Sequence, residues 1–474
     1  MTETGPATYS ATTRHPSSTT KRFSTGQTGR FLATFFAIAV LVTACSAGSD
    51  SATGDSEEAV SVATSSENAP GQDADSESPE FSGDSESAEF SGDTEFDEIA
   101  PPPPTTNPAV ADFQEARENL DRGVQTASAF WTTDWTNATI DISELRAGLG
   151  GSDTRDGIPP LDNPKYETVD EAGEWLGDNE PGALVQVDGD AWFYPLAIMT
   201  SHEIVNDVLG ETPVAVTYCP LCNTAIAYDR RVGDDTLRFG VSGLLRKSDL
   251  VMWDELTTSL WQQITGEGIV GQFAGVQLEP VSTSIVSFGQ LRESFPEALS
   301  LSPDTGFARR YGTNPYVSYS SGQGPISSFF VDELDDRLPA LSRIVGVSFD
   351  GVDRAYPFDL LTAAKVVNDT VGSTPIAVFW GGDTADALDA NVIAESAPIG
   401  TAVAYDRVVN GTELTFTADG ENFVDDQTGS TWNVLGIAVD GDLAGTQLDV
   451  ATHKNEFWFA FAGFFPGAEI HEVS

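Results

Sequence analysis

Residues 194–216 return further along the same chain at a constant offset of 162: Tyr194-Pro195, Val205-Asn206-Asp207, Gly210 and Thr212-Pro213 reappear as Tyr356-Pro357, Val367-Asn368-Asp369, Gly372 and Thr374-Pro375. The correspondence continues in the same order. Thr224-Ala-Ile-Ala-Tyr-Asp-Arg230 answers Thr401-Ala-Val-Ala-Tyr-Asp-Arg407, Asp254 to Trp261 answers Asp425 to Trp432, and Phe295-Pro296 answers Phe465-Pro466. Ordered self-similarity of this extent is the mark of a duplicated unit, so the pattern of one copy serves to read both.

In the first copy, Ala183 to Phe193 reads as a hairpin about Asp188-Gly189-Asp190. Pro195 to Leu209 reads as a helix, with proline at its start and Gly210 just past its end. Val214 to Tyr218 reads as a buried strand, Ala225 to Arg231 and Thr236 to Val241 as strands about Gly233-Asp234-Asp235, and Leu250 to Trp253 and Ile269 to Val270 as their continuation. A helix from Ser284 to Ser294 closes the unit. The expected fold class is α+β: two tandem divergent repeats, each mostly antiparallel sheet with two helices. The first spans 140–300, a connector 301–344 and the second 345–470.

The N-terminal part has a different character. Arg14, Lys21, Arg22 and Arg30 precede an uncharged apolar run, Phe31 to Ala44, that ends at Cys45. About fourteen residues is short of the ~20 that a permanent membrane-spanning helix needs, so residues 1–44 are expected to be a cleaved signal. Val42-Thr43-Ala44-Cys45 is similar to a lipobox, which implies lipidation of Cys45 and attachment to the outer face of a cell membrane. Residues 46–100 carry sixteen acidic side chains and no Lys or Arg, a composition that cannot bury enough apolar surface to fold. Pro101 to Pro104 then stiffen the chain, and residues 45–110 read as a disordered acidic and Pro-rich tether. Those sixteen acids are about a third of the formal charge of −50, so the folded part is acidic too. A surface of that sign excludes nucleic acid as a partner.

Chemistry is best sought where the two copies differ. The first has His202-Glu203 where the second has Ala364-Lys365, and it has Tyr218-Cys-Pro-Leu-Cys222 where the second has a longer loop, Phe379 to Gly400, without Cys or His. It also has an insertion, Leu244-Leu-Arg-Lys-Ser-Asp249. With Cys45 lipidated, Cys219 and Cys222 are the only other cysteines. At C-x-x-C spacing two thiolates can chelate one ion, with His202 as third ligand and Glu203, Asp249 or water as fourth, and zinc or copper fits such donors. If the helix ends near Leu209, Cys219 lies ~20 Å along the next strand and His202 only ~10 Å back along the helix. Coordination by both stays open, as does the alternative that the helix start near Pro195 faces the cysteines. That alternative favours a thiol-disulfide redox pair, because a helix N-terminus lowers a thiol pKa. A small stabilising disulfide is the third reading of the same two residues.

Taken together, Gly150 to Pro159, Trp175-Leu176, His202-Glu-Ile-Val-Asn-Asp207, Thr217-Tyr-Cys-Pro-Leu-Cys-Asn-Thr-Ala225, Phe239-Gly-Val-Ser-Gly243, Ser248-Asp249, Met252 and Ser259-Leu-Trp-Gln262 resemble the bacterial and archaeal family called domain of unknown function 3179. The resemblance covers roughly 140–470. It implies that these motifs belong together and that exported, often lipid-anchored members are usual, and it carries no established activity or cofactor.

Three further groups complete the reading. Arg246, Ser248 and Asp249, beside Lys247, are candidates to hold a carboxylate or phosphate of a ligand. Tyr311, Tyr316 and Tyr319 with Trp253 and Trp261 are candidates to line a groove for a sugar or peptide, which makes a non-enzymatic surface binding module the reading of a different class. His15, His453 and His471 are expected at the surface.

Overall fold

Alternating apolar residues and a tight turn build the first sheet. Pro181–Val187 and Asp190–Pro195 form the expected hairpin, and its two turn residues, Asp188 and Gly189, take φ of 53° and 91°. Such a turn twists with its strands, and Asp-Gly is the pair that tolerates it. Thr283–Ser287 adds antiparallel on one side, and Leu299–Leu301 adds parallel on the other, followed by Tyr166–Thr168. A second sheet orders Pro280–Val281, Thr224–Asp229, Thr212–Cys219, Ile204–Leu209 and Leu161–Asp162, and a third orders Leu145–Ala147, Phe239–Arg246, Asp249–Asp254, Leu260–Gln262 and Gly268–Val270. This computed structural model describes Phe113 and residues 117–472. The signal segment 1–44, Cys45, His15 and the 45–110 tether lie outside the described residues.

The second half orders its strands in the same way. His453–Phe457, Arg343–Phe349, Val352–Pro357 and Glu469–Ile470 form one sheet, Val366–Val371, Thr374–Gly381 and Thr401–Asp406 a second, and Phe416–Asp419, Asn422–Asp425, Thr431–Trp432 and Ala438–Asp440 a third. Nearly all pairings are antiparallel, and six α-helices accompany the sheets among the described residues. The architecture is therefore sheet-rich α+β.

Two helix boundaries differ from expectation. The first helix is only Leu196–His202; it stops at Glu203, whose φ is 59°, and the chain returns as the strand Ile204–Leu209. Ile204, Val205 and Val208 are β-branched and favour an extended chain. Asn206 and Asp207 are claimed by tertiary bonds: Asn206 pairs with the backbone of Phe239, and Asp207 accepts the Tyr194 hydroxyl at 2.6 Å. Gly210 is then a hairpin turn residue at φ 60°, not a helix stop. The closing helix likewise begins at Phe288, after the strand Thr283–Ser287, where Ser287 and Gln290 form a capping box.

Residues common to the two halves make matching bonds. Asp254 accepts the indole N–H of Trp261 at 2.9 Å and the Thr257 backbone N–H at 2.6 Å, and Asp425 accepts Trp432 and Thr428 at the same two distances. Asn368 bonds the backbone of Phe416 as Asn206 bonds Phe239, and Tyr356 donates to Asp369 as Tyr194 does to Asp207. Because these acceptors satisfy buried donors, Asp254→Ala is expected to lower stability by about 2–4 kcal/mol. Urea unfolding followed by Trp fluorescence measures it; a loss under ~0.5 kcal/mol counts against the role.

The halves interlock. Leu184, Phe193, Phe288 and Leu291 of the first pack with Ala377, Phe379, Tyr405 and Trp432 of the second. In return Phe457, Phe459 and Ala460, near the C-terminal end, join the core around Tyr194, Tyr218 and Cys222. The described residues thus fall in one compact unit, and residues of the second half help close the core around Cys219 and Cys222.

Candidate metal centre

Cys219 ends the strand Thr212–Cys219, and Thr224, its partner across the ladder, begins the next. The four residues between must turn the chain. Pro220 presets one φ, and Asn223 takes φ 54°, a conformation asparagine tolerates better than most residues. The result is a closed hairpin tip with both thiols on it, fully buried. Opposite them, Arg246 pairs with Asp249 across a second tight turn, in which Lys247 and Ser248 both have positive φ, 51° and 66°. Neither residue favours that region. Tertiary bonds hold it: Lys247 Nζ meets Asp332 at 2.6 Å, and the Ser248 N–H donates to the Phe329 carbonyl at 3.1 Å.

This turn aims the Ser248 carbonyl and the Asp249 carboxylate at the thiols. Cys219 Sγ and Cys222 Sγ lie 3.8 and 3.6 Å from the Ser248 oxygen. The two sulfurs and a carboxylate oxygen of Asp249 all lie within 4.8 Å of one another. Asp249 Oδ2 accepts from Gln262 Nε2 at 2.6 Å and from the Ile264 N–H at 3.0 Å, while Oδ1 has no partner; the Ser248 hydroxyl is likewise unpartnered. Cys219, Cys222 and Asp249 therefore could hold a metal ion. Gln262 fixes the carboxylate by its outer oxygen, the usual way a protein orients a ligand. Gln262→Leu is expected to weaken zinc affinity about 10–100-fold and to cost the metal-free fold about 1–3 kcal/mol, the affinity read by competition with a chromophoric chelator; unchanged affinity would remove Gln262 from that role.

Burial governs the electrostatics. It pushes both thiols above their ordinary range, Cys222 furthest. It pushes Asp249 up to about 6, and burial together with the Asp249 charge pushes Glu203 up to about 8. Without a cation the two thiols and Glu203 thus keep their protons near neutral pH, while Asp249 is a largely ionised carboxylate buried among them. That is the opposite of a reactive dithiol, which is accessible and has a lowered pKa. The neighbouring helix end is also the wrong one for a redox pair: the Tyr218 N–H donates to the carbonyl of Glu203, the helix C-cap, so the C-terminal end of the helix sits by the cysteines. A helix C-terminus disfavours a thiolate.

His202 is not part of this group. Its Nδ1 lies 2.7 Å from the Pro159 carbonyl and its Nε2 2.7 Å from the Tyr311 hydroxyl. The carbonyl only accepts, so Nδ1 carries the proton and Nε2 accepts from Tyr311; burial lowers the His202 pKa and keeps the ring neutral. The helix that was to carry it past the strand ends at His202 itself, and the reversal at Glu203 sends the two side chains apart. Glu203 lies within electrostatic reach of Asp249 and Cys219 but outside the group of three.

The remaining candidates are placed differently from expectation. Arg246 is bound to Glu144 at 2.8 Å and stacks on Phe464, so its charge is already met, while Ser248 and Asp249 face the thiols rather than a ligand held by Arg246. Trp261 and Trp253 are buried, and Tyr311, Tyr316 and Tyr319 are half-buried and pack against the core that holds both cysteines. His453 is buried, with Nδ1 on the Ala451 carbonyl, and burial lowers its pKa to about 4. The sequence reading passed over Glu456, a fully buried carboxyl with neither oxygen bonded, whose charge is felt at Cys222. It lies in the last long strand of the second half, and no local motif marks it.

Comparison with curated proteins and with solved structures gives no match. A family model does match, over residues 155–468. That span holds the thiol hairpin, the Asp249 turn and all strands of the sheets except Leu145–Ala147 and Glu469–Ile470, and the chain belongs to the family described as protein of unknown function (DUF3179).

Proposed function

We propose that this is an extracytoplasmic protein, lipid-anchored through Cys45, whose first half carries a buried transition-metal centre with Cys219, Cys222 and Asp249 as ligands. The observation that carries the reading is the convergence of three donor groups within 4.8 Å, in a place where none meets solvent and one Asp249 oxygen has no other partner. An unpaired carboxylate in such surroundings is costly unless a cation or proton meets it. Two thiolates and a carboxylate suit Zn²⁺ better than Cu⁺, because the carboxylate is a hard donor. The ordered self-match and the matching bonds support reading the two halves as diverged copies, 140–300 and 345–470, with the second having no thiol site of its own. The acidic tether would hold the folded part off the membrane.

The test is the metal content of the untagged protein, purified under reduction and dialysed. About one zinc per chain is expected, as for other closed thiolate sites. No metal, together with a Cys219–Cys222 disulfide by mass spectrometry in protein isolated without reductant, overturns the reading in favour of a stabilising crosslink.

A further inference from the structure

Residues 302–342, between the strands Leu299–Leu301 and Arg343–Phe349, contain no helix or strand. Irregular stretches of that length are uncommon inside a compact unit and are often lids. This one lies across the cysteine hairpin. The Tyr319 hydroxyl donates to the Leu221 carbonyl at 3.0 Å, and the Phe329 carbonyl accepts the Ser248 N–H. Tyr316 and Tyr319 pack on the cluster that contains Cys219 and Cys222, and the Tyr319 ring meets Phe457 edge-on. Its first part, 302–325, is held elsewhere by hydrogen bonds, among them the Tyr311 hydroxyl on His202 Nε2, the Gly312 N–H on the Ala197 carbonyl, and the Asn314, Ser318 and Tyr319 N–H groups on the carbonyls of Asn391, Asp389 and Leu388. Residues 326–342 are instead anchored: Phe330 is buried in the core, Lys247 meets Asp332, the Asp335 carbonyl accepts from Trp458 Nε1, and the Ala340 and Ser342 carbonyls accept the Phe459 and Trp458 N–H groups. Phe307 and Val317 remain exposed along the first part. Segments with sparse buried contacts are the first to open locally.

We propose that residues 302–325 form a lid over the Cys219–Cys222–Asp249 centre, latched by His202 on Tyr311 and by Tyr319 on Leu221, and that ions and thiol reagents reach the sulfurs when it lifts. The lid would give His202 its role, as an anchor for the cover rather than a ligand. For ions the inference rests on the metal reading; for reagents it needs only the buried thiols.

The test is the alkylation rate of Cys219 and Cys222 by iodoacetamide in the full chain, reduced and metal-free, with each cysteine followed by peptide mass. Wild-type labelling is expected to be slow and insensitive to low urea. Tyr319→Phe, which removes only the latch hydroxyl, and His202→Ala should each accelerate it ~10-fold, about the effect of 1.4 kcal/mol, whereas Val317→Thr on the exposed side should not. Equal rates in all four proteins that rise with urea in step with global unfolding would overturn the lid, as would wild-type labelling as fast as in the unfolded chain. Release of bound zinc to a chelator should follow the same ranking. If no variant holds zinc while the alkylation ranking stands, the metal reading fails and the lid does not.

Discussion

Replacing Cys219 and Cys222 together by serine is expected to bring bound zinc from about one per chain to essentially none, because a serine hydroxyl cannot replace a thiolate as a zinc ligand. The substitution nearly conserves volume, and neither sulfur bonds anything but the Ser248 carbonyl and its neighbours in the centre, so the metal-free fold should survive. What is lost is the ion's own contribution. At a free zinc concentration 100–1,000 times the dissociation constant that contribution is ~2.7–4.1 kcal/mol. The wild type should therefore unfold at higher urea with zinc than with chelator, while the double variant should unfold at one midpoint under both conditions. A double variant that still retains stoichiometric zinc would show that the ion sits elsewhere.

The second large effect is a pair of opposed pH dependences. Glu203, pushed up to about 8 by burial and by Asp249, titrates well above its unfolded value. A carboxyl of this kind contributes stability that is complete below its unfolded pKa and is lost as pH rises through the folded one. Asp249, at about 6, acts in the same direction at lower pH. The metal-free protein should accordingly lose thermal stability between pH 6.5 and 8.5. Zinc binding requires the thiols and Asp249 without their protons, so the gain in midpoint on adding zinc should grow over the same interval. The interval is chosen because His453, lowered to about 4 by burial, costs stability only as pH falls from its unfolded value toward that number. A few kcal/mol corresponds to roughly 3–6 °C for a unit of this size. Calorimetry at four pH values, with zinc or with chelator, gives both slopes; a zinc increment that is constant or shrinks toward pH 8.5 would contradict ligation by thiols that must lose their protons to bind the ion.

Much of the fold can be read from local pattern. The Asp188-Gly189 turn, the Thr212–Cys219 and Thr224–Asp229 strands and the sheet-rich character follow from alternation and turn chemistry. Pro195 to Leu209 misleads because an apolar run between Pro and Gly suits a helix or a helix followed by a strand equally well. The choice is made by Asn206 and Asp207, whose partners Phe239 and Tyr194 are distant in sequence. The same ambiguity explains Ser284 to Ser294, where the first residues pair with Pro181–Val187 before the helix begins.

The sequence by itself determined that Cys219 and Cys222 lie close together between two strands, because C-x-x-C spacing leaves only two residues between them. It also marked, by self-similarity, residues such as Asp254 and Asp425 that make matching bonds in the two halves. Only the tertiary structure decided that Asp249 and not His202 stands beside those thiols: the 246–249 turn of one sheet meets the cysteine hairpin of another, while the reversal at Glu203 leaves His202 on Pro159 and Tyr311. Only the tertiary structure, likewise, decided the protonation of the group. Desolvation depends on what covers a residue, and here the cover comes from the connector and the C-terminal strand, far along the chain from the cysteines they enclose.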